Sequence, residues 1–135
     1  MDKKDFYVAS NMKIGFIGIG NMATAMLNGI IYSKIVDINQ IYVSDCDQTK
    51  LDFFRGMGVN ASTDNREVAK NASYVFLTVK PQFYDTVLDE LAQLPSAEFT
   101  NGQFPCYITV APGITTNFVE TKLGNQAKVV RTMPN

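Results

Sequence analysis

From Lys13 to Ala23 the chain runs from an apolar stretch, through glycines at 15, 18 and 20, into a segment with helical spacing. This reads as a short buried strand, a glycine turn and the first turn of a helix. Gly18, Gly20 and Ala23 fit the pattern G-x-G-x-x-G/A, which seats a pyrophosphate on a helix N-terminus. Gly18 takes backbone angles that a side chain would penalise. Gly20 lets a phosphate approach the main chain, and Ala23 lets the helix lie close to its strand. The unpaired N–H groups and the positive end of the helix dipole then face the anion.

The rest of the chain alternates strand and helix around that turn. Met22, Met26, Leu27, Ile30 and Ile31 recur at helical spacing and predict an amphipathic helix over 22–33, its methionines packed as core. A second strand over 41–44 ends at Asp45. An acidic residue there is placed to hold a ribose through its hydroxyls, or to cap the next helix, a role Asp47 also suits. Gly56 and Gly58 stop that helix before a short strand at 59–62. Asp64 and Glu67 begin like a capping box and open another helix. Residues 74–79 are the most strand-like run, apolar on both faces as parallel strands covered on both sides are. Pro81 suits a helix start, and Val87, Leu88, Leu91 and Leu94 give that helix a buried stripe. Residues 95–104 read as a loop, 106–110 as a fifth strand, 115–123 as a helix closed by Gly124, and 128–133 as a sixth strand.

Such alternation predicts an α/β fold: a doubly wound, Rossmann-type parallel sheet with helices on both faces and right-handed crossovers. Ligands of such sheets lie beyond the carboxyl ends of the strands. The informative residues fall there: 18–20, Asp45, 79–81, 111–113 and the pair Pro134 and Asn135. The expected organisation is a flexible arm over 1–11 and one dinucleotide-binding domain over 12–135.

Composition narrows the chemistry. With 46% hydrophobic residues, 135 residues suffice for one core. A formal net charge of −1 gives no electrostatic case for nucleic acid or an anionic membrane. No apolar run approaches the ~18 residues of a membrane helix, and the leader has no apolar core of a secretory signal. Cys46 and Cys106 lack metal or redox spacing, which suits a cytoplasmic protein with reduced thiols. With no histidine in the chain, Ser-His-Asp and Cys-His catalysis are excluded, and no metal site is expected.

The same stretches resemble the N-terminal dinucleotide-binding domain of the pyrroline-5-carboxylate reductase family. They are residues 12–23, 43–45, 63–65, Val-Lys-Pro-Gln within 75–82, 110–114, and Met-Pro-Asn closing 130–135. The resemblance implies an NAD(P)H-dependent oxidoreductase that passes a hydride to the C=N of a cyclic imine, yielding proline. On that resemblance the backbone of Gly18, Gly20, Asn21 and Met22 cradles the pyrophosphate, Asp45 meets the adenosine ribose, and Ser44 beside it belongs to the cofactor-binding set. Asn65 lies near the adenine; Val79, Lys80, Pro81, Ala111 and Gly113 line the nicotinamide end, with Asn135 at its rim. No catalytic residue is assigned, because orientation of two reactants supplies much of the acceleration.

Three departures from the family pattern carry expectations. Cys46 stands where the family often has arginine, between Asp45 and Asp47, which leans the cofactor towards NADH; Lys50 and Ser44 remain as possible phosphate partners. Pro112 replaces a usual alanine. The chain also stops at Asn135, where the family continues into a helical domain with the substrate pocket and dimer interface. A truncated form is therefore expected: inactive alone, a monomer or weak dimer, with the full-length enzyme a homo-oligomer. Two other readings stand beside it: a non-catalytic dinucleotide sensor, and the Rossmann domain of a β-hydroxyacid-dehydrogenase-like enzyme.

Overall fold

The computed structural model describes residues 12–124 and 127–132. Six parallel strands form one sheet in the order β3-β2-β1-β4-β5-β6. They are β1 (Ile14–Ile17), β2 (Ile41–Ser44), β3 (Asn60–Ser62), β4 (Tyr74–Leu77), β5 (Cys106–Thr109) and β6 (Lys128–Arg131). The helices are α1 (Asn21–Ser33), α2 (Gln48–Gly56), α3 (Asn65–Asn71), α4 (Tyr84–Ala92) and α5 (Thr116–Leu123). The chain starts at the middle of the sheet and winds outwards both ways, so the order reverses between β1 and β4. A crevice over the carboxyl ends opens at such a reversal.

Residues alternate between the two faces along each strand. Phe16, Ile41 and Val43 point to one side and pack with Ala23 and Leu27 of α1 and Leu51 and Phe54 of α2. Phe76 joins them, its ring stacked on Phe16 with centroids 4.8 Å apart. Ile17, Val75, Leu77 and Tyr107 point to the other side, against Val68 of α3, Leu88 and Leu91 of α4 and Val119 of α5. Helices therefore lie on both faces, but unequally. On the side of α1 and α2, Tyr74 and Val130 are exposed and Cys106 and Ile108 half-buried. Both of those crossovers serve the β1–β3 half, which leaves β5 and β6 thinly covered there among the described residues.

Local chemistry explains most element ends. Asp47 caps α2 by accepting from the amides of Thr49 and Lys50, and Thr115 caps α5 by accepting from the Phe118 amide. Asp64 caps α3 by accepting from the Arg66 amide, and Arg66 folds back onto it in a two-pronged ion pair at 3.0 Å. That guanidinium holds the Asp64 carboxyl below its ordinary pKa. The reciprocal half of the expected capping box is replaced: Glu67 pairs with Lys70 instead. β4 ends two residues earlier than its apolar run, because Thr78 turns to the carbonyls of Ile17 and Gly18. The 95–104 segment is a loop, yet an anchored one: Phe99 is buried and packs on Phe104 with centroids 4.8 Å apart.

Gly15 is the tightest point between sheet and helix. A Cβ there would fall 2.4 Å from Val68 Cγ1 and 3.0 Å from Ala72 Cβ. Val68 is β-branched and stiff within its helix, so α3 itself must retreat. Gly15→Ala is expected to cost ~1–3 kcal/mol and lower Tm by several degrees in a thermal melt.

Candidate functional site

The final ladder row runs Ser62, Ser44, Ile17, Leu77, Thr109, Arg131 across the sheet. Every proposed site residue described by the structure follows this row, except Ser44, which is in it. The parallel register thus places residues 18–22, Asp45, Asn65, 79–81 and 111–113 along one edge. Asn135 and its neighbours Met133 and Pro134 lie outside the described residues.

The glycine turn sits at the middle of that edge. Gly18 has φ +99°, a conformation that disfavours any side chain, and a Cβ there would lie 2.8 Å from both Val79 N and Val79 Cγ1. Its amide donates to the Ser44 carbonyl at 2.8 Å. Gly20 precedes α1 with φ −87°, and a Cβ built on it meets nothing within 4 Å. α1 has no side-chain cap and no acidic residue in its first turn. The amides of its first turn therefore face open space at the positive end of a 13-residue helix. Asn21 and Met22 are exposed there, and Ala23 is buried against the sheet. Donors without a cap, beside a residue that leaves room for a phosphate, fit a dinucleotide pyrophosphate.

At one side of the turn stands Asp45. Its Oδ2 accepts from the Ile19 amide at 2.6 Å and its Oδ1 from the Asp47 amide at 2.8 Å. The carboxylate ties the end of β2 to the glycine turn, and each oxygen keeps a lone pair for a further donor. Capping α2 falls to Asp47 alone. Ser44 is fully buried and does not reach the surface with its side chain. Its hydroxyl donates to Asn65 Oδ1 at 2.8 Å, and Asn65 Nδ2 donates to Glu90 Oε2 at 3.2 Å. Ser44 thus orients Asn65, and Glu90 fixes which way the amide points. Cys46 and Lys50 are exposed beside them.

On the other side are two loops. Thr78 straps β4 to the turn: its amide donates to the Ile17 carbonyl at 2.9 Å, and its hydroxyl lies 2.7 Å from the Gly18 carbonyl. Val79 packs on Gly18, and Lys80 and Pro81 are exposed as the chain enters a 3₁₀ turn, Pro81–Phe83. After β5, Ala111 is buried and its carbonyl accepts from the Ile114 amide at 3.4 Å. Pro112 and Gly113 form the corner, with Gly113 at φ +80°, the residue pair of a type II turn. Pro112 therefore serves the turn that presents Gly113. Thr78 and the buried Tyr84 were not singled out from sequence; a hydroxyl on an apolar run, flanking a glycine motif, is the signal for the first.

No group of three or more metal-binding side chains occurs among the described residues. A separate cavity of about 450 Å³ lies at the β3 edge, lined by Tyr42, Arg55, Asn60 and Glu67 among others. It includes none of the glycine-turn residues. Arg55 closes part of that edge by donating to the Ala61 carbonyl at 2.8 Å.

Comparison with known proteins agrees with the fold. The family model described as "NADP oxidoreductase coenzyme F420-dependent" matches residues 13–99. A pyrroline-5-carboxylate reductase of Staphylococcus aureus (strain COL) is 36% identical over 126 residues, 92% of this chain and 44% of that protein. The structure of a pyrroline-5-carboxylate reductase from Coxiella burnetii superposes with a TM-score of 0.80 at 37% identity, over 93% of this chain and 45% of that one. The Plasmodium falciparum pyrroline carboxylate reductase, solved with NADP bound, shares the fold with a TM-score of 0.75 at 24% identity, over 93% and 43%. The chain thus spans less than half the length of the relatives it matches.

Proposed function

Because the chain belongs to the NADP oxidoreductase, coenzyme F420-dependent family, we propose that it is the cofactor-binding part of a pyrroline-5-carboxylate reductase. The observation that carries this reading is the open, uncapped start of α1 at Gly20, in a chain 36% identical over 92% of its length to a reductase of that name. A nicotinamide dinucleotide lies along the carboxyl edge and supplies the hydride for a C=N bond. Gly18, Gly20, Asn21 and Met22 hold the pyrophosphate through main-chain donors. Asp45 accepts from the ribose hydroxyls, and Asn65, oriented by Ser44 and Glu90, faces the adenine. Val79, Lys80, Pro81, Ala111 and Gly113 border the nicotinamide, with Asn135 at the rim. The imine carbon receives the hydride and its nitrogen carries the proton, giving a cyclic secondary amine. The similarity to reductases over nearly the whole chain weighs against a stand-alone sensor. The test is isothermal calorimetry with NADH and NADPH; no binding of either would remove the reading.

Cofactor choice follows from the adenosine end. Asp45 is fixed by two amide donors and cannot swing away from a ribose 2′-phosphate, and Asp47 lies next to it. Arg66 is occupied by Asp64, so its charge is largely neutralised locally. The proposal is therefore NADH over NADPH. The expected result is NADH bound at least about tenfold more tightly, a difference of ~1.4 kcal/mol. Asp45→Ser combined with Cys46→Arg removes the carboxylate and adds a two-pronged phosphate partner, which should invert the ratio. A competition titration showing NADPH preferred by the unmodified chain overturns the assignment.

The same reading places the protein in the cytoplasm and the complete reductase in a homo-oligomer. No described helix is long and apolar enough to cross a membrane. The thinly covered β5–β6 face, with Val130 exposed, supports weak self-association of this chain at high concentration.

A further inference from the structure

Tyr84 is the first residue of α4, almost wholly buried, and directly beneath the two loops at the nicotinamide end. Its hydroxyl donates to the carbonyl of Leu77, the last residue of β4. With its one proton used there, the phenol oxygen can only accept, and Thr109 Oγ1 lies 3.0 Å away as a donor. Leu77 and Thr109 are register partners across β4 and β5. One oxygen therefore ties the last residue of β4 to the last residue of β5, from which the 110–113 loop leaves.

We propose that Tyr84 is a positioning residue for the nicotinamide half of the cofactor site, fixing the spacing of the 78–81 and 110–113 loops. Leu77 leads straight into Thr78 and Val79, which pack on the glycine turn, and Ala111 opens the Pro112–Gly113 corner. Neither loop has another described side-chain bond to the other. Burial raises the phenol's pKa and its donors only partly offset that, so the hydroxyl stays protonated through neutral pH and the bond to Leu77 persists. Removing the oxygen leaves the buried Thr109 hydroxyl short of an acceptor at the point where the 110–113 loop begins. The adenosine end, held by Asp45, Ser44 and Asn65, is untouched by this change.

The assignment rests on the proposed dinucleotide site, and its test separates the two. Tyr84→Phe is titrated with NADH and with ADP-ribose, which lacks the nicotinamide. The expected result is an NADH Kd raised about tenfold and an ADP-ribose Kd unchanged within twofold. Thr109→Val, which keeps volume and removes one donor, should shift the same ratio by a smaller factor and serves if Tyr84→Phe does not fold. Amide hydrogen exchange provides a readout without ligand: Val110 and Ala111 should exchange faster in Tyr84→Phe while β1 and β2 amides keep their protection. Parallel weakening of both ligands, or an unchanged exchange pattern, overturns the positioning role. Failure of the unmodified chain to bind NADH removes the site itself, and the exchange result then decides only whether Tyr84 ties the loops.

Discussion

Gly20→Val is expected to raise the Kd for NADH by at least ~100-fold, about 2.7 kcal/mol, while leaving the melt within a few degrees of the parent. The separation of the two effects follows from the turn's geometry. At φ −87° the position accepts an L side chain without strain, and nothing in the protein lies within 4 Å of the new Cβ. The added atoms instead occupy the space in front of the α1 amides. A branched side chain there blocks close approach of a phosphate to the main chain. Gly18→Ala provides the contrast. At φ +99°, with Val79 N 2.8 Å from the new Cβ, the change strains the backbone by ~1–3 kcal/mol and pushes β4 away from the turn. It should lower Tm and weaken binding together. Calorimetry and a thermal melt on both variants check this. Unchanged NADH affinity in Gly20→Val would show that the pyrophosphate does not lie at this turn.

The doubly wound sheet was legible in the sequence because its signals are long and redundant. Continuous apolar runs mark buried parallel strands, and helical stripes at 22–33 and 84–94 each repeat several times. The site's edge was legible for the same reason: parallel strands place all their carboxyl ends on one side, so the loops after them converge without further information. What could not be read depends on single contacts. Gly15 shows its purpose only once α3 lies 2.4 Å from where its Cβ would be. Asp45 was placed correctly at the end of β2, but its bond to the Ile19 amide spans 26 residues and has no local pattern. Ser44 was grouped with the ligand contacts, yet its side chain points under the surface towards Asn65, since strand parity and helix placement together decide its face. Phe99 and Tyr84 each anchor a segment with one ring, and one ring has no period.

This chain by itself is expected to bind dinucleotide and yet show no reduction of pyrroline-5-carboxylate above background. The argument is one of orientation. Every described residue proposed for the site lies along the carboxyl edge proposed for the cofactor: main-chain donors at 18–22, Asp45 and Asn65, and the loops at 79–81 and 111–113. None of the described ones forms a wall that would hold a small anionic imine against the ring. The chain covers 44% of the S. aureus reductase, and the proposal is that the grip on the substrate belongs to the remainder of such a protein. Without that grip the two reactants meet only by diffusion. The effective-molarity contribution, ~7–11 kcal/mol in well-oriented systems, is then largely lost, and a loss of even half of that slows turnover by several powers of ten. Protonation of the imine does not compensate, because it activates the electrophile equally in free solution. The measurement is NADH oxidation followed by absorbance with pyrroline-5-carboxylate added, against the S. aureus enzyme as reference. Turnover comparable to that reference would place the substrate site within these 135 residues and overturn the division of labour proposed for them.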